Sequence, residues 1–248
     1  MYAVITAGGR VDADFARAIG SEYKALAPLG NARRLIDASI DAARSIDVAG
    51  IAVVGSSEVL QYCADRIDVP IVAAEEGVEN IRRALHAFAD FDRLVYLTSD
   101  IPFADGAALG AFVERSNGIA LTMALASGDA YDAAFPAAPP HVMTLGRERI
   151  ANGSAFVIDR SAIEQLELVA GRFFDARKSL PRLALLLGPL LCLRFALKRL
   201  DIATIERRAR AILGVDARAI RAAGPGLCYD VDTLADWAYA HSFALADG

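Results

Sequence analysis

The sequence predicts an α/β fold in which a parallel sheet carries helices on both faces. Short apolar runs rich in branched residues alternate with segments whose apolar residues recur at helical spacing, and this rhythm persists to about residue 126. The apolar runs lead into loops bearing a glycine pair or carboxylates, where open α/β sheets keep their chemistry. The 248 residues, 55% of them hydrophobic, suffice to bury a sizeable core.

In order, residues 2–7 form a first strand and 34–46, RLIDASIDAARSI, a helix. Strands at 50–55, 69–74, 93–98 and 119–126 then alternate with helices at 58–66, 80–89 and 104–115. Beyond residue 126 the rhythm breaks. GDAYDAAFPAAPPHV reads as a loop, and HVMTLGRERIANGSAFVIDR as paired strands with turns at Gly146 and at Asn152-Gly153, so an irregular region covers about 127–160. Residues 161–221 read as mostly helical, and GLCYDVDTLADWAYA as a strand with a helix behind it. No internal repeat, low-complexity tract or flexible linker interrupts the chain, which predicts one domain over 1–248.

Several function classes drop out on composition. The net charge is −5 with both signs interspersed, so no basic stripe can follow a nucleic-acid backbone. MYAVITAGGR reads as a strand rather than a signal peptide, which predicts a cytoplasmic protein. Cys63, Cys192 and Cys228 lie far apart and read as apolar fillers, not a disulfide framework or zinc site. The apolar stretch 183–197 is too short to span a membrane, is broken by Gly188-Pro189 and contains Arg194. Core burial is its default reading, with a homodimer contact or recognition of an apolar acceptor as the others.

Three loops remain. Gly8-Gly9 permits close backbone approach and positive φ, so successive N–H groups can face a phosphate; an ordinary turn is the other reading. Neither GxGxxG nor GxxxxGK[ST] is present. Asp12 can cap a short helix with Phe15, Ala16 and Ile19 on its apolar side, and Gly20 can end it. The chain then presents Lys24 again near the glycine loop, either to neutralise phosphate charge or as a solvated surface lysine. In VYLTSDIPF, Asp100 ends an apolar strand and Pro102 holds the preceding residue extended, which aims the carboxylate into the crevice; a helix N-cap is the alternative. In CYDVDTLADW, strand alternation puts Asp230 and Asp232 on one side, where one of them can join Asp100 as a hard oxygen ligand for Mg²⁺. Asp232 can instead cap the helix over 233–240. His86, His141 and His241 are scattered and read as structural or exposed.

Taken together, these motifs resemble the molybdenum-cofactor guanylyltransferase-like (MobA-like) NTP transferases, nucleotidyltransferases of the GT-A group that includes sugar-phosphate nucleotidylyltransferases and CMP-sugar synthetases. VITAGGR and KALAPLGNARRLIDASIDAA early, NIRRALHAF and VYLTSDIPF in the middle and YDVDTLADW at the end carry the resemblance over nearly the whole chain. ANGSAFVIDR and ARKSLPRLALLLG look like segments of a less characterised NTP-transferase-like branch. The resemblance implies a three-layer α/β/α domain with a mostly parallel, Rossmann-like mixed sheet. It implies that Ala7, Gly8 and Gly9 line the nucleotide, that Lys24 contacts its phosphates, and that Asp100 is the central metal ligand. Asp232 then resembles the second ligand, with Asp230 as the other candidate. Asn80, read as opening the helix after the third strand, resembles a nucleotide-side contact, with helix capping as the alternative. The usual GGxGxRM pattern is altered here: Arg10 directly follows the glycines and Lys24 comes late, so either Arg10 or Arg17 stands as the phosphate contact. Asn152-Gly153-Ser154 resembles the glycine and asparagine segment beside the acceptor, with a hairpin turn as the other reading.

The implied activity is Mg²⁺-dependent transfer of an NMP from an NTP to a phosphorylated small-molecule acceptor with release of pyrophosphate, with Lys24 and Arg10 as the catalytic cations. Such chemistry rests on positioning and cationic neutralisation, so it needs no Ser-His-Asp arrangement. Two other readings stand beside it: a GT-A-type glycosyltransferase using a sugar nucleotide, and a non-catalytic nucleotide-binding or assembly protein of the same fold.

Overall fold

The structure is a computed structural model that describes residues 1–30, 32–177 and 188–246. Its strands are Tyr2–Ala7 (β1), Ile51–Gly55 (β2), Val69–Val72 (β3), Arg93–Thr98 (β4), Leu121–Ser127 (β5), Val142–Leu145 (β6), Glu148–Asp159 (β7) and Ala217–Ile220 (β8). Its helices are Ala13–Ile19 (α1), Leu35–Arg44 (α2), Ser57–Cys63 (α3), Gly77–Leu85 (α4), Gly106–Arg115 (α5), Gly128–Ala134 (α6), Ile163–Arg177 (α7), Pro189–Ala196 (α8), Ile202–Leu213 (α9) and Leu234–Ala246 (α10).

The strands form one mixed sheet in the order β3-β2-β1-β4-β7-β5-β8, with β6 paired to β7. β1 to β4 are mutually parallel, β8 is parallel to β5, and β7 runs antiparallel to β4, β5 and β6. Alternation along the strands builds a core on each face. Ala3, Ile5, Val53, Val95 and Leu97 face one cluster, while Val4, Ala52, Val54 and Leu94 face the other. The chain runs outward from β1 through β2 to β3, then returns to place β4 on the opposite side of β1. That reversal opens a crevice at the carboxyl ends of β1 and β4.

The early elements follow the expected order. Past residue 126 several readings are corrected. GDAYDAA is the helix α6, capped by Ser127, whose side chain accepts from the Ala130 N–H. Gly128 serves packing rather than looseness there, because a Cβ would meet Arg149 Cβ at 2.7 Å. Asn152-Gly153 is not a turn but the middle of the twelve-residue β7; the hairpin turn is at Gly146, with φ of 61°. A Cβ on Gly153 would lie 2.5 Å from the Ala124 carbonyl oxygen, where the β5–β7 register shifts between Met123 and Leu125. The glycine thus lets two backbones meet at a bulge.

The region expected to be mostly helical contains β8, because Gly214 ends α9 in the left-handed conformation and the chain turns back onto the sheet edge. Residues 183–187 of the apolar stretch, with most of ARKSLPRLALLLG, lie outside the described residues. Core burial does not hold for the remainder: Leu191 is buried, but Leu190, Leu193, Phe195 and Leu197 are more than half exposed. The two-turn α8 offers only a narrow line to the small cluster around Leu200 and Ile202. Among the described residues no helix is long and apolar enough to cross a membrane.

Candidate active site

The loop after β1 carries Gly8 and Gly9, and the interval to Lys24 is a closed excursion. Asp12 caps α1 by accepting from the Asp14 and Phe15 N–H groups, and Gly20 ends it with φ of 71°. Phe15 and Ile19 are buried, and Phe15 packs 6.1 Å from Trp237 of α10. The chain then pairs with itself, the Val11 N–H donating to Glu22 O and the Lys24 N–H to Gly9 O. Lys24 is thereby fastened over the glycines, and its Cε would lie 3.5 Å from a Cβ on Gly9.

Its ammonium sits between two carboxylates, 2.5 Å from Asp100 Oδ2 and 3.1 Å from Asp232 Oδ1. The Lys24 and Asp100 side chains are 15% and 14% exposed, whereas that of Asp232 is 67% exposed. Burial works to lower the lysine's pKa, but attraction and hydrogen bonding to Asp100, then to Asp232, outweigh it and hold Lys24 above its ordinary value. Asp100 leaves β4 in a turn and is not a helix cap; its carbonyl accepts from the Val231 N–H, tying the two carboxylate segments together. Two buried oxygens at this strand end, Asp100 Oδ1 and Thr98 Oγ1, have no hydrogen-bond partner among the described residues.

The expected strand around Asp230 and Asp232 is absent. Pro225–Cys228 is a 3-10 turn, and a Cβ on Gly226 would collide with Phe103 O, so close packing against the loop after Asp100 shapes this segment. The two aspartates therefore go to different partners: Asp232 to Lys24, and Asp230 to His141 Nδ1 at 3.5 Å. Asp232 is also free of the capping role, because the Thr233 hydroxyl accepts from the Asp236 N–H and Asp236 Oδ2 accepts from the Thr233 N–H.

Together these groups edge a cleft of ≈ 730 Å³ whose lining includes Gly8, Gly9, Arg10, Lys24, Asn80, Thr98 and Asp100. Asn80 does not open its helix: α4 begins at Gly77, and the Asn80 amide reaches back to the Ala74 N–H at 2.6 Å and to its carbonyl at 2.9 Å. It braces the cleft wall against Gly8, where a Cβ would touch its Nδ2 at 3.4 Å. Arg10 lies at the exposed rim, paired with Glu22 at 3.2 Å and 5.5 Å from the Tyr23 ring centroid. Arg17 pairs with Asp14 on the exposed face of α1 and is not among the described lining residues. Ala7 is buried at the end of β1 beside Gly55 and is likewise absent from the lining. Asn152, Gly153 and Ser154 line a second, contiguous cavity.

Residues 3–218 match the MobA-like NTP transferase domain. The chain belongs to this family. It is thus a nucleotidyltransferase with the GT-A-like fold of its structural neighbours. A hypothetical transferase from Thermus thermophilus is 26% identical, with 96% of this chain and 100% of that one covered at a TM-score of 0.84. A nucleotidyl transferase from Methanothermobacter thermautotroptrophicus is 17% identical, with 100% and 98% covered at 0.60. The 2-C-methyl-D-erythritol 4-phosphate cytidylyltransferase from Thermus thermophilus is 14% identical, with 98% of each chain covered at 0.55. No match was found among curated proteins.

This MobA-like NTP transferase also has a buried support that the motifs did not announce. Asp236 Oδ1 pairs with His141 Nε2 at 3.0 Å, while Asp236 Oδ2 accepts from the Asp232 N–H at 3.1 Å. His141 packs among Tyr131 and Tyr229, and hydrogen bonding to Asp230 leads the effects that raise its pKa against burial. The acidic run YDVDTLAD hinted at Asp236, but nothing local pointed to His141, 95 residues away in sequence. His86 is an exposed partner of Glu167, and His241 Nδ1 meets Pro28 O at 3.2 Å.

Proposed function

We propose that the enzyme transfers an NMP from an NTP to a phosphorylated small-molecule acceptor in a Mg²⁺-dependent reaction that releases pyrophosphate. The observation that carries this reading is Lys24, held between Asp100 and Asp232 over the Gly8-Gly9 loop, at the crevice where the strand order reverses. The donor set fits Mg²⁺: two carboxylates supply hard oxygens, and the buried Asp100 Oδ1 lacks a hydrogen-bond partner among the described residues. No group of three or more His, Cys, Asp or Glu placed to hold a metal ion occurs among the described residues. Mg²⁺ characteristically takes one or two carboxylates and completes its shell with substrate phosphates and water. Asp100 and Asp232 would hold it, and when bound it supplies neutralisation of phosphate charge at the reacting and leaving oxygens.

The chain's own groups do the rest. Gly8 and Gly9 let the backbone approach the phosphates without a side chain intervening. Lys24 turns its ammonium from the carboxylates toward the α- and β-phosphates, and Arg10 adds positive charge from the rim. An acceptor phosphate oxygen then bonds to the α-phosphorus as the α–β bridging bond breaks, and pyrophosphate leaves with the electron pair. Asn80 keeps the wall at Ala74 in place, and Asn152-Gly153-Ser154 borders the acceptor side.

Pyrophosphate release with Mg²⁺, each NTP in turn and a panel of monophosphates tests this. Asp100→Asn is expected to lower turnover by roughly 10²–10³-fold, and Asp232→Asn to raise the Mg²⁺ concentration required. Asp230→Asn should leave that requirement unchanged. Robust turnover in Asp100→Asn would refute the metal assignment.

A further inference from the structure

The polar cleft adjoins a second cavity of ≈ 690 Å³, with Ile81, Tyr96 and Thr98 lining both. This chamber lies between the β4-β7-β5 sheet face and helices α4, α7 and α9. Its wall is graded. The register Leu97↔Ala155 sets Ser154 beside Thr98, so Thr98, Ser154 and Asn152 cluster at the end adjoining the cleft. Away from it the walls are Met123 and Phe156 from the sheet and Leu166, Val169, Ile205 and Ala209 from the helices. Arg208, beside Gly188, is the charged exception among the described lining residues.

Protein interiors pack with few voids larger than a water molecule, whereas cavities of roughly 300–1,000 Å³ are those that hold small ligands. A sugar or polyol in this chamber would strand its hydroxyls against Phe156, Met123 and Ile205, at the full cost of desolvation. An alkyl or prenyl chain loses nothing there. The approach is apolar too, since α8 contributes Leu191 to the wall and exposes Leu190, Leu193 and Phe195.

We infer that the acceptor is a phosphate monoester of an apolar alcohol, its chain in the chamber and its phosphate at Thr98 and Ser154, facing the cleft. The inference rests on the nucleotidyl-transfer reading and specifies its acceptor. A monoester oxygen bonds to the α-phosphorus of the NTP, the α–β bridging bond breaks, pyrophosphate leaves with the electron pair, and a nucleoside diphosphate ester of the alcohol results.

The test uses the full chain with monomeric dodecyl phosphate as probe, against glucose 1-phosphate and glycerol 3-phosphate. Dodecyl phosphate should bind saturably and support pyrophosphate release with Mg²⁺ and an NTP, at least tenfold faster than either polar monoester. Ala209→Trp and Met123→Trp, which fill the chamber from opposite walls, should weaken dodecyl phosphate binding at least tenfold while leaving the NTP-induced thermal shift intact. Turnover of the polar monoesters in preference to dodecyl phosphate would overturn the inference and leave nucleotidyl transfer standing. Dodecyl phosphate affinity unchanged in both folded tryptophan variants would also overturn it. Chamber-dependent binding without pyrophosphate release from any NTP would sustain the ligand class and sink the transfer reading.

Discussion

Replacing Lys24 with methionine removes one charge from the centre of the site while keeping most of the aliphatic stem. At 2.5 Å the Lys24–Asp100 pair has a gross attraction of roughly 7 kcal/mol at an effective dielectric of about 20. Much of that offsets the desolvation of two groups that are only 15% and 14% exposed. The Asp232 arm adds at most about 1 kcal/mol, because its carboxylate is 67% exposed. Breaking a buried pair from one side costs about 3–5 kcal/mol, and residual exposure puts Lys24→Met near the lower end, about 3 kcal/mol. For a chain of this size that is a fall in Tm of roughly 6–12 °C at neutral pH. Asp100→Asn removes the stranded charge, so the double variant should recover part of the loss, with a coupling of about 2 kcal/mol in a double-mutant cycle. The folded-state pKa of Lys24 is raised, so its contribution is complete below the ordinary lysine value and fades as pH rises through the folded one. The deficit should therefore be flat from about pH 6 to 9 and shrink only above roughly pH 10. Thermal melts of the four proteins across this range measure it. A Lys24→Met melt within about 1 °C of wild type, or a deficit that disappears between pH 6 and 9, would refute the reasoning.

Two further outcomes probe the support around the site. Gly153→Ala drives a Cβ to 2.5 Å from Ala124 O, a backbone atom that cannot swing aside, and should cost about 2–3 kcal/mol; an unchanged Tm would mean that the bulge relaxes freely. His141→Gln tests the link from Asp230 through His141 to Asp236. Because the histidine's folded pKa is raised, its contribution is present below about pH 6.5 and is lost as pH rises through the folded value. The urea stability gap between wild type and His141→Gln should narrow from pH 5.5 to pH 8.5, and a gap that widens would contradict the assigned partners.

What was legible in the sequence was local. The alternation of apolar runs and helical spacing marked the strands from β1 to β5, since period-2 and period-3.6 patterns depend on neighbouring residues alone. Asp12 and Gly20 announced α1 because a cap and a left-handed terminus are decided within a turn. Asn80 lines the cleft but does not open its helix, which starts three positions earlier, since Gly77 gives a weak N-terminal signal. α6 was hidden for a related reason: Gly128 and the following alanines look like loop chemistry until β6 and β7 are seen packing against them.

Other features had no local signature. Asp230 and Asp232 looked equivalent by alternation, and only the 3-10 turn wedged against Phe103 sends one to His141 and the other to Lys24. The contact between Lys24 and Asp232 spans 208 residues, and the antiparallel β7 enters between β4 and β5 through ladder hydrogen bonds that no sequence window contains. By itself the sequence determined the α/β class, the glycine loop, the Asp100 strand end and the family, because each lies in a short run of residues. The tertiary structure alone decided which carboxylates share the lysine and that an apolar chamber adjoins the cleft, because both depend on long-range strand pairing and on space left between helices from distant parts of the chain.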